Sequence, residues 1–243
     1  MTSRKRADIL LVERGLFESR AKAQAAIAAG QVSADGLAVR KASDEVPVGA
    51  AFRAAPAHPF VSRGGVKLAA ALDHFGFDPA GRVALDVGAS TGGFTQVLLA
   101  RGAACVYAVD VGRGQLHARL RGDPRVVALE TTDIRTLDPA LLRQAPDLAT
   151  VDVSFISLKA VLPALDRLLQ RPAKLVALVK PQFEAGRSAH KKGIVRDPAV
   201  HVAVCDEIAG FTASLGWTVE GIIPSPIKGG GGNAEFLMGA RRD

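Results

Sequence analysis

The sequence predicts an α/β protein: a doubly wound, Rossmann-like sheet of seven strands, the last antiparallel, preceded by a small α+β module. Three observations point there. From Leu68 onward, short apolar runs alternate with helical stretches, as in a parallel sheet wrapped by helices. Within that region the apolar run Val83 to Leu85 feeds Asp86-Val87-Gly88-Ala89-Ser90-Thr91-Gly92-Gly93-Phe94-Thr95, an acid and a glycine-rich turn opening a helix. Ahead of it, two short helical stretches lead into a strand, an Asp-Gly turn and a second strand.

In the first module Ser19 is placed as the N-cap of a helix over Arg20 to Ala29, closed by Gly30, with Ala23, Ala26 and Ile27 on one face. Gln31 to Val39 reads as a hairpin turning at Asp35-Gly36. Ala54 to Pro59, with two prolines, reads as connecting chain. The expected division is residues 1–60 for the module, 61–67 for a linker and 68–243 for the sheet domain. Of the net charge of +7, most sits early: residues 1–67 hold 11 basic and 6 acidic side chains. A basic module ahead of a near-neutral body suits a polyanion partner, although solubility alone explains the surplus equally well.

Strands are expected at Arg82 to Asp86, Ala104 to Asp110, Val126 to Leu129, Leu148 to Val151, Lys174 to Val179, Trp217 to Ile223 and Glu235 to Gly239. Ligands of such sheets bind beyond the carboxyl ends of the strands, where glycines allow close backbone approach. The turn lacks the dinucleotide spacing G-x-G-x-x-G. Gly88 is followed by Ala89, Ser90 and Thr91 before Gly92-Gly93 and Phe94, which is nearer to loops holding the amino-acid end of S-adenosylmethionine (SAM). A turn that serves packing alone remains the alternative. About 20 residues on, Asp110-Val111 puts an acid where ribose hydroxyls can be bound, which suits SAM and NAD alike. Thr132-Asp133-Ile134 offers an acid for an adenine amino group and an apolar side chain for its ring. Either acid alone is as well explained as a turn former. The expected cofactor contacts are thus Asp86, Gly88 to Phe94, Asp110, Val111, Asp133 and Ile134.

Cys105 and Cys205 lie in apolar patterns, with no C-x-x-C pair and no histidine cluster, so reduced core residues and no metal are expected. The basic start is followed only by the apolar run Ile9 to Val12 before Glu13, too short for an export signal. No run of about 18 apolar residues occurs to span a membrane. A cytoplasmic protein without membrane attachment is the expectation.

The chemistry is to be sought in Val151-Asp152-Val153-Ser154-Phe155-Ile156-Ser157 and Leu178-Val179-Lys180-Pro181-Gln182-Phe183-Glu184. An Asn/Asp-Pro-Pro-Tyr strand end, used in amino-nitrogen methylation, is absent, and neither cysteine sits in a site loop to act as a nucleophile. Lys180 instead closes five apolar residues, Leu175 to Val179. Burial favours the neutral amine of a lysine, which can take a proton from a hydroxyl. A strand-end lysine snorkelling to solvent is the competing reading.

With Ser62-Arg63-Gly64-Gly65, Gly88 to Thr95, Asp152 to Ser157 and Lys180 to Glu184 in this order, nearly the whole chain resembles the TlyA, or haemolysin A, family. Members join an S4-type RNA-binding domain to an FtsJ-like ribosomal RNA 2′-O-methyltransferase with a SAM-methyltransferase sheet. The resemblance implies SAM as cofactor, ribosomal RNA as partner and a Lys-Asp-Lys-Glu tetrad at Lys67, Asp152, Lys180 and Glu235. It further implies an S4 module with Arg4, Arg6, Arg20 and Lys41 as phosphate contacts, joined by Arg63. The basic loop Arg187 to Lys192 is a further candidate grip on RNA. A cytidine of the large subunit is the implied target, the short carboxyl end favouring that subunit, and a monomer is expected. Two other functions stay open at this stage: a non-catalytic RNA-binding assembly factor, and a membrane-active haemolysin. The latter has little support, because the best alanine-rich helix is short and looks docked.

Overall fold

The computed structural model describes residues 3–186 and 193–243, and its chain divides into two compact units that meet between Pro59 and Phe60. The first contains β1 (Arg4–Arg6), α1 (Ala7–Glu13), α2 (Arg20–Ala28), β2 (Val32–Ala34), β3 (Leu37–Ala38), β4 (Glu45–Pro47) and β5 (Phe52–Ala54). β1 pairs with β4, while β2 lies between β3 and β5. As the sequence suggests, the Ser19 hydroxyl oxygen accepts from the Lys22 backbone N–H and caps α2. Asp35 and Gly36 both take positive φ, 50° and 81°, the geometry a two-residue hairpin turn requires. Leu10, Leu11, Ala23, Ile27 and Val32 fill the core. The initial strand β1 was not expected; three consecutive basic residues give no apolar alternation to reveal it.

The Asp8 side chain is fully buried in this unit. Its carboxylate accepts from Arg6 at 3.0 and 3.1 Å, from Arg20 at 2.8 Å and from Gln24 at 2.7 Å. These bonds hold its carboxyl well below the usual carboxylate range, the Arg6 hydrogen bonds contributing most.

The second unit runs α3 (Gly64–Phe75), β6 (Val83–Val87), α4 (Gly93–Ala100), β7 (Cys105–Val109), α5 (Ala118–Arg121), β8 (Val126–Leu129), β9 (Leu148–Val151), α6 (Leu158–Leu168), β10 (Ala173–Val179), α7 (Pro181–Glu184), α8 (Pro198–Ser214), β11 (Thr218–Pro224) and β12 (Phe236–Arg242). The seven strands lie in the order β11-β12-β10-β9-β6-β7-β8. β12 is antiparallel to both neighbours, and the pairs among β10, β9, β6, β7 and β8 are parallel. One face of the sheet is covered by Leu158, Leu162 and Leu165 of α6 and Ile208 of α8. The other is covered by Leu68 and Leu72 of α3 and Phe94 and Leu98 of α4.

Two expectations need correction. Residues 61–67 are not simply a linker, because α3 begins at Gly64 and Lys67 lies in its first turn. Gly65 serves packing, since a Cβ on it would fall 2.3 Å from the Phe60 ring, and so does Gly93 at the start of α4, where a Cβ would lie 2.1 Å from Ser62 Oγ. The last strand runs on to Arg242, past the expected end at Gly239. Arg242 at that end is buried, its guanidinium lying 4.7 Å from the Trp217 ring centroid and bonding Asp166 at 2.5 Å.

Candidate active site

A cavity of about 530 Å³ opens where β6, β7 and β9 end, the edge at which an open α/β sheet receives ligands. Gly88, with φ of 81°, forms its floor. A Cβ there would lie 2.4 Å from the Asp152 carbonyl oxygen, so only glycine lets the ends of β6 and β9 approach this closely. Asp110 fastens the glycine turn to the end of β7: one carboxylate oxygen accepts from Ser90 N and the other from Gly112 N, both at 2.7 Å. Asp133 is held by Arg135, whose guanidinium donates at 2.6 to 3.0 Å and keeps that carboxyl below its ordinary range. Val111 and Ile134 complete the expected lining.

Other expected cofactor residues stand behind the cavity rather than in its wall. Asp86 is fully buried under the turn, accepting from Thr95 Oγ1 at 2.6 Å and Thr150 Oγ1 at 2.9 Å. Burial pushes its carboxyl up to about 7. Ala89 and Phe94 belong to the core, Gly92 faces Leu116 and Leu120, and Gly93 faces Ser62. Thr91 does not line the cavity either; its carbonyl accepts from His117 N. The motif was legible, but which of its residues face inward depends on how the turn is rolled onto the sheet.

Several wall residues escaped the sequence reading. Gln115 arrives from the β7–α5 connection, and its amide oxygen accepts from Ser90 Oγ at 3.1 Å. Ser154, Phe155 and Ile156 also line the cavity. Their motif was visible, whereas their orientation was not. Phe155 is 91% exposed with φ of 65°, and its ring centre lies 5.1 Å from that of Phe183. An exposed aromatic in a strained backbone conformation at a cavity rim suggests a ligand-facing role.

Four charged groups form two ion pairs, and one of the four, Asp152, lines the cavity. Lys67 Nζ lies 2.5 Å from Glu235 Oε2, and Lys180 Nζ lies 2.6 Å from Asp152 Oδ1. Strand register explains their meeting. Val179 pairs with Phe236, so continuing β10 and β12 by one residue sets Lys180 opposite Glu235. Val151 pairs with both Val87 and Ala177, which brings Asp152 in from β9. Lys67 comes down from the first turn of α3. Both lysines are buried, as is Glu235, so the snorkelling reading of Lys180 does not hold.

Neighbours brace these pairs. Gln182 Nε2 donates to Glu235 Oε1 at 3.5 Å, and Gly229 has no Cβ because one would sit 1.8 Å from that oxygen. Glu184 accepts from Ser157 Oγ at 2.5 Å and Leu158 N at 2.8 Å, tying the loop after β9 to the segment after β10. Its burial raises its carboxyl above the usual range.

Of the expected RNA contacts, Arg4, Lys41 and Arg63 are exposed. Arg4 Nη2 donates to the Glu45 carbonyl at 2.5 Å. Arg6 and Arg20 are engaged with Asp8, which occupies part of each guanidinium and leaves the rest at the surface. The loop Arg187 to Lys192 lies outside the described residues. Among the described residues no helix is long and apolar enough to cross a membrane, and no group of three or more His, Cys, Asp or Glu side chains could hold a metal.

Comparison with known proteins agrees with this architecture. Residues 60–242 match the FtsJ-like methyltransferase family, and residues 5–51 match the S4 domain. The YqxC protein of Bacillus subtilis is 48% identical over 98% of this chain and 86% of its own length. The 16S/23S rRNA (cytidine-2'-O)-methyltransferase TlyA of Mycobacterium tuberculosis is 46% identical over 99% of this chain and 91% of that protein. A solved chain from Streptococcus thermophilus superposes with a TM-score of 0.78 at 41% identity, covering 100% of this chain and 90% of that one. The chain thus belongs to the FtsJ-like methyltransferase family, in the branch with TlyA and haemolysin A that places an S4 domain ahead of the catalytic fold.

Proposed function

We propose that the protein methylates a ribose 2′-hydroxyl of ribosomal RNA, at a cytidine, using SAM. The observation that carries this reading is the two lysine–carboxylate bridges, one of which reaches the cavity wall through Asp152. A sugar hydroxyl is a poor nucleophile until its proton is accepted by a well-placed base, and two amines and two acids can supply that base and hold it in place.

The cavity fits the cofactor. Gly88 permits close approach, Asp110 is set to accept from ribose hydroxyls, and Asp133 with Ile134 offers one acceptor and one apolar surface for a base. SAM, when bound, supplies an electrophilic methyl on a sulfonium that is attacked in line with the departing sulfur. Lys180 is the base in this reading: its ammonium first releases a proton to solvent, and the neutral amine then takes the hydroxyl proton onto Nζ. Asp152 holds the Lys180 amine at 2.6 Å. Lys67 and Glu235 orient the sugar from the other side, and Phe155 offers an exposed face for a nucleobase. The S4 domain contributes phosphate contacts through Arg4, Lys41 and the free edges of Arg6 and Arg20, setting register rather than reading bases.

Labelled methyl transfer from SAM to purified large and small ribosomal subunits tests this, with 2′-O-methyl positions mapped afterwards. Incorporation at a cytidine, lost in Lys180→Ala, is expected, and the separate subunits show whether one or both are substrates. Undiminished transfer by Lys180→Ala removes that lysine from the mechanism. Retained RNA binding without SAM affinity would favour a non-catalytic assembly factor instead.

A further inference from the structure

We infer that Ser154 is a positioning residue for Lys180, its hydroxyl oxygen fixing the direction in which the lysine lone pair points. The inference rests on the reading of Lys180 as the base that accepts the sugar proton. Lys180 Nζ makes two polar contacts within hydrogen-bond range, to Asp152 Oδ1 at 2.6 Å and to Ser154 Oγ at 2.9 Å. An uncharged primary amine has two N–H bonds and one lone pair in a tetrahedral arrangement. With one N–H donated to the serine oxygen and the second drawn toward the Asp152 carboxylate of the ion pair, the lone pair is left in the remaining direction. That is the geometry a base needs, with its acceptor orbital rather than a hydrogen presented to the sugar O–H.

Two features show that this serine is placed rather than incidental. Its loop is anchored just downstream by Glu184, which bonds Ser157 Oγ and Leu158 N, so the oxygen is held relative to β10. Ser154 is itself exposed and lines the cavity, while the Lys180 side chain is only 8% exposed, so the amine has few other partners to turn toward. With Asp152 as the sole acceptor, the second N–H and the lone pair can exchange places. One N–H can then face the sugar oxygen and block the transfer it should assist.

Single-turnover methyl transfer to ribosomal subunits, at saturating SAM and RNA, tests the inference with Ser154→Ala, Ser154→Thr and Lys180→Ala in the full-length protein. Ser154→Ala is expected to slow the chemical step about 10- to 100-fold, the usual scale for a misoriented catalytic group. SAM and RNA dissociation constants and the melting temperature should hold, and Ser154→Thr, which keeps the oxygen, should recover most of the rate. A wild-type rate in Ser154→Ala overturns the inference, as does a loss confined to binding or a threonine variant as slow as alanine. If Lys180→Ala is inactive while Ser154→Ala is normal, only the serine role falls; if Lys180→Ala is active, the base assignment falls with it.

Discussion

Lys67 and Glu235 stand 168 residues apart in the chain, yet their charged atoms meet at 2.5 Å with side chains 10% and 3% exposed. The bridge ties the first turn of α3 to the residue before β12 and closes one side of the site. Removing one partner leaves the other charged in a place where water scarcely reaches.

Lys67→Met is therefore expected to destabilise the protein by about 3–5 kcal/mol, the scale for stranding one member of a buried pair. The double variant Lys67→Met/Glu235→Gln should regain much of that loss, because neither charge is then left uncompensated. Urea unfolding of the two single variants and the double variant gives the coupling directly. Additive losses would show that the bridge contributes nothing as a pair.

Gly88→Ala meets two obstacles at once. Its φ of 81° is strained for alanine, and the added carbon falls 2.4 Å from a backbone oxygen of Asp152 that cannot swing aside as a side chain could. Strain of about 1–3 kcal/mol should push β6 and β9 apart at the cavity floor. Calorimetry should show SAM affinity reduced by tenfold or more, with secondary structure retained by circular dichroism. Unchanged affinity would mean that the floor does not touch the cofactor.

Asp86 links stability to pH. Its carboxyl titrates at about 7 in the fold, against about 3.9 in an unfolded chain, so folding favours the protonated form. That contribution is complete below pH ~4 and is lost as pH rises through 7. Asp86→Asn cannot ionise, and its melting temperature should fall less between pH 5 and pH 8 than that of the wild type. Parallel pH profiles for the two proteins would exclude Asp86 as the group responsible.

Phe155 presents nearly its whole ring to solvent beside Phe183. Stacking of a base on an aromatic face is worth about 1–3 kcal/mol, so Phe155→Ala should weaken productive RNA binding by roughly 5- to 100-fold at an unchanged melting temperature. Phe155→Tyr or Phe155→Trp should preserve it. Steady-state kinetics with varied RNA measures the effect, and an unchanged KM would assign the ring another purpose.

The broad architecture was legible because it depends on local pattern. Val126 to Leu129 and Leu148 to Val151 were placed to the residue, and the Asp35-Gly36 turn followed from residues that accept positive φ. Boundaries failed where charge or glycine hid an element: Arg4–Arg6 in β1, Gly64-Gly65 at the start of α3, and Arg241-Arg242 at the end of β12. At those points pairing or close packing outweighed local preference, which a single sequence cannot reveal.

The site divides along the same line. By itself the sequence determined an alternating α/β body, a glycine-bearing turn after the first strand of its sheet, and a lysine closing an apolar strand, since each is a property of neighbouring residues. Tertiary structure alone decided that Asp86 braces the turn from beneath, that Gln115 and Ser154 face the cavity, and that Lys67 pairs with Glu235 while Lys180 pairs with Asp152. Those contacts depend on which strands lie side by side and in what register, and that choice is made by the burial of the whole core rather than by any one segment.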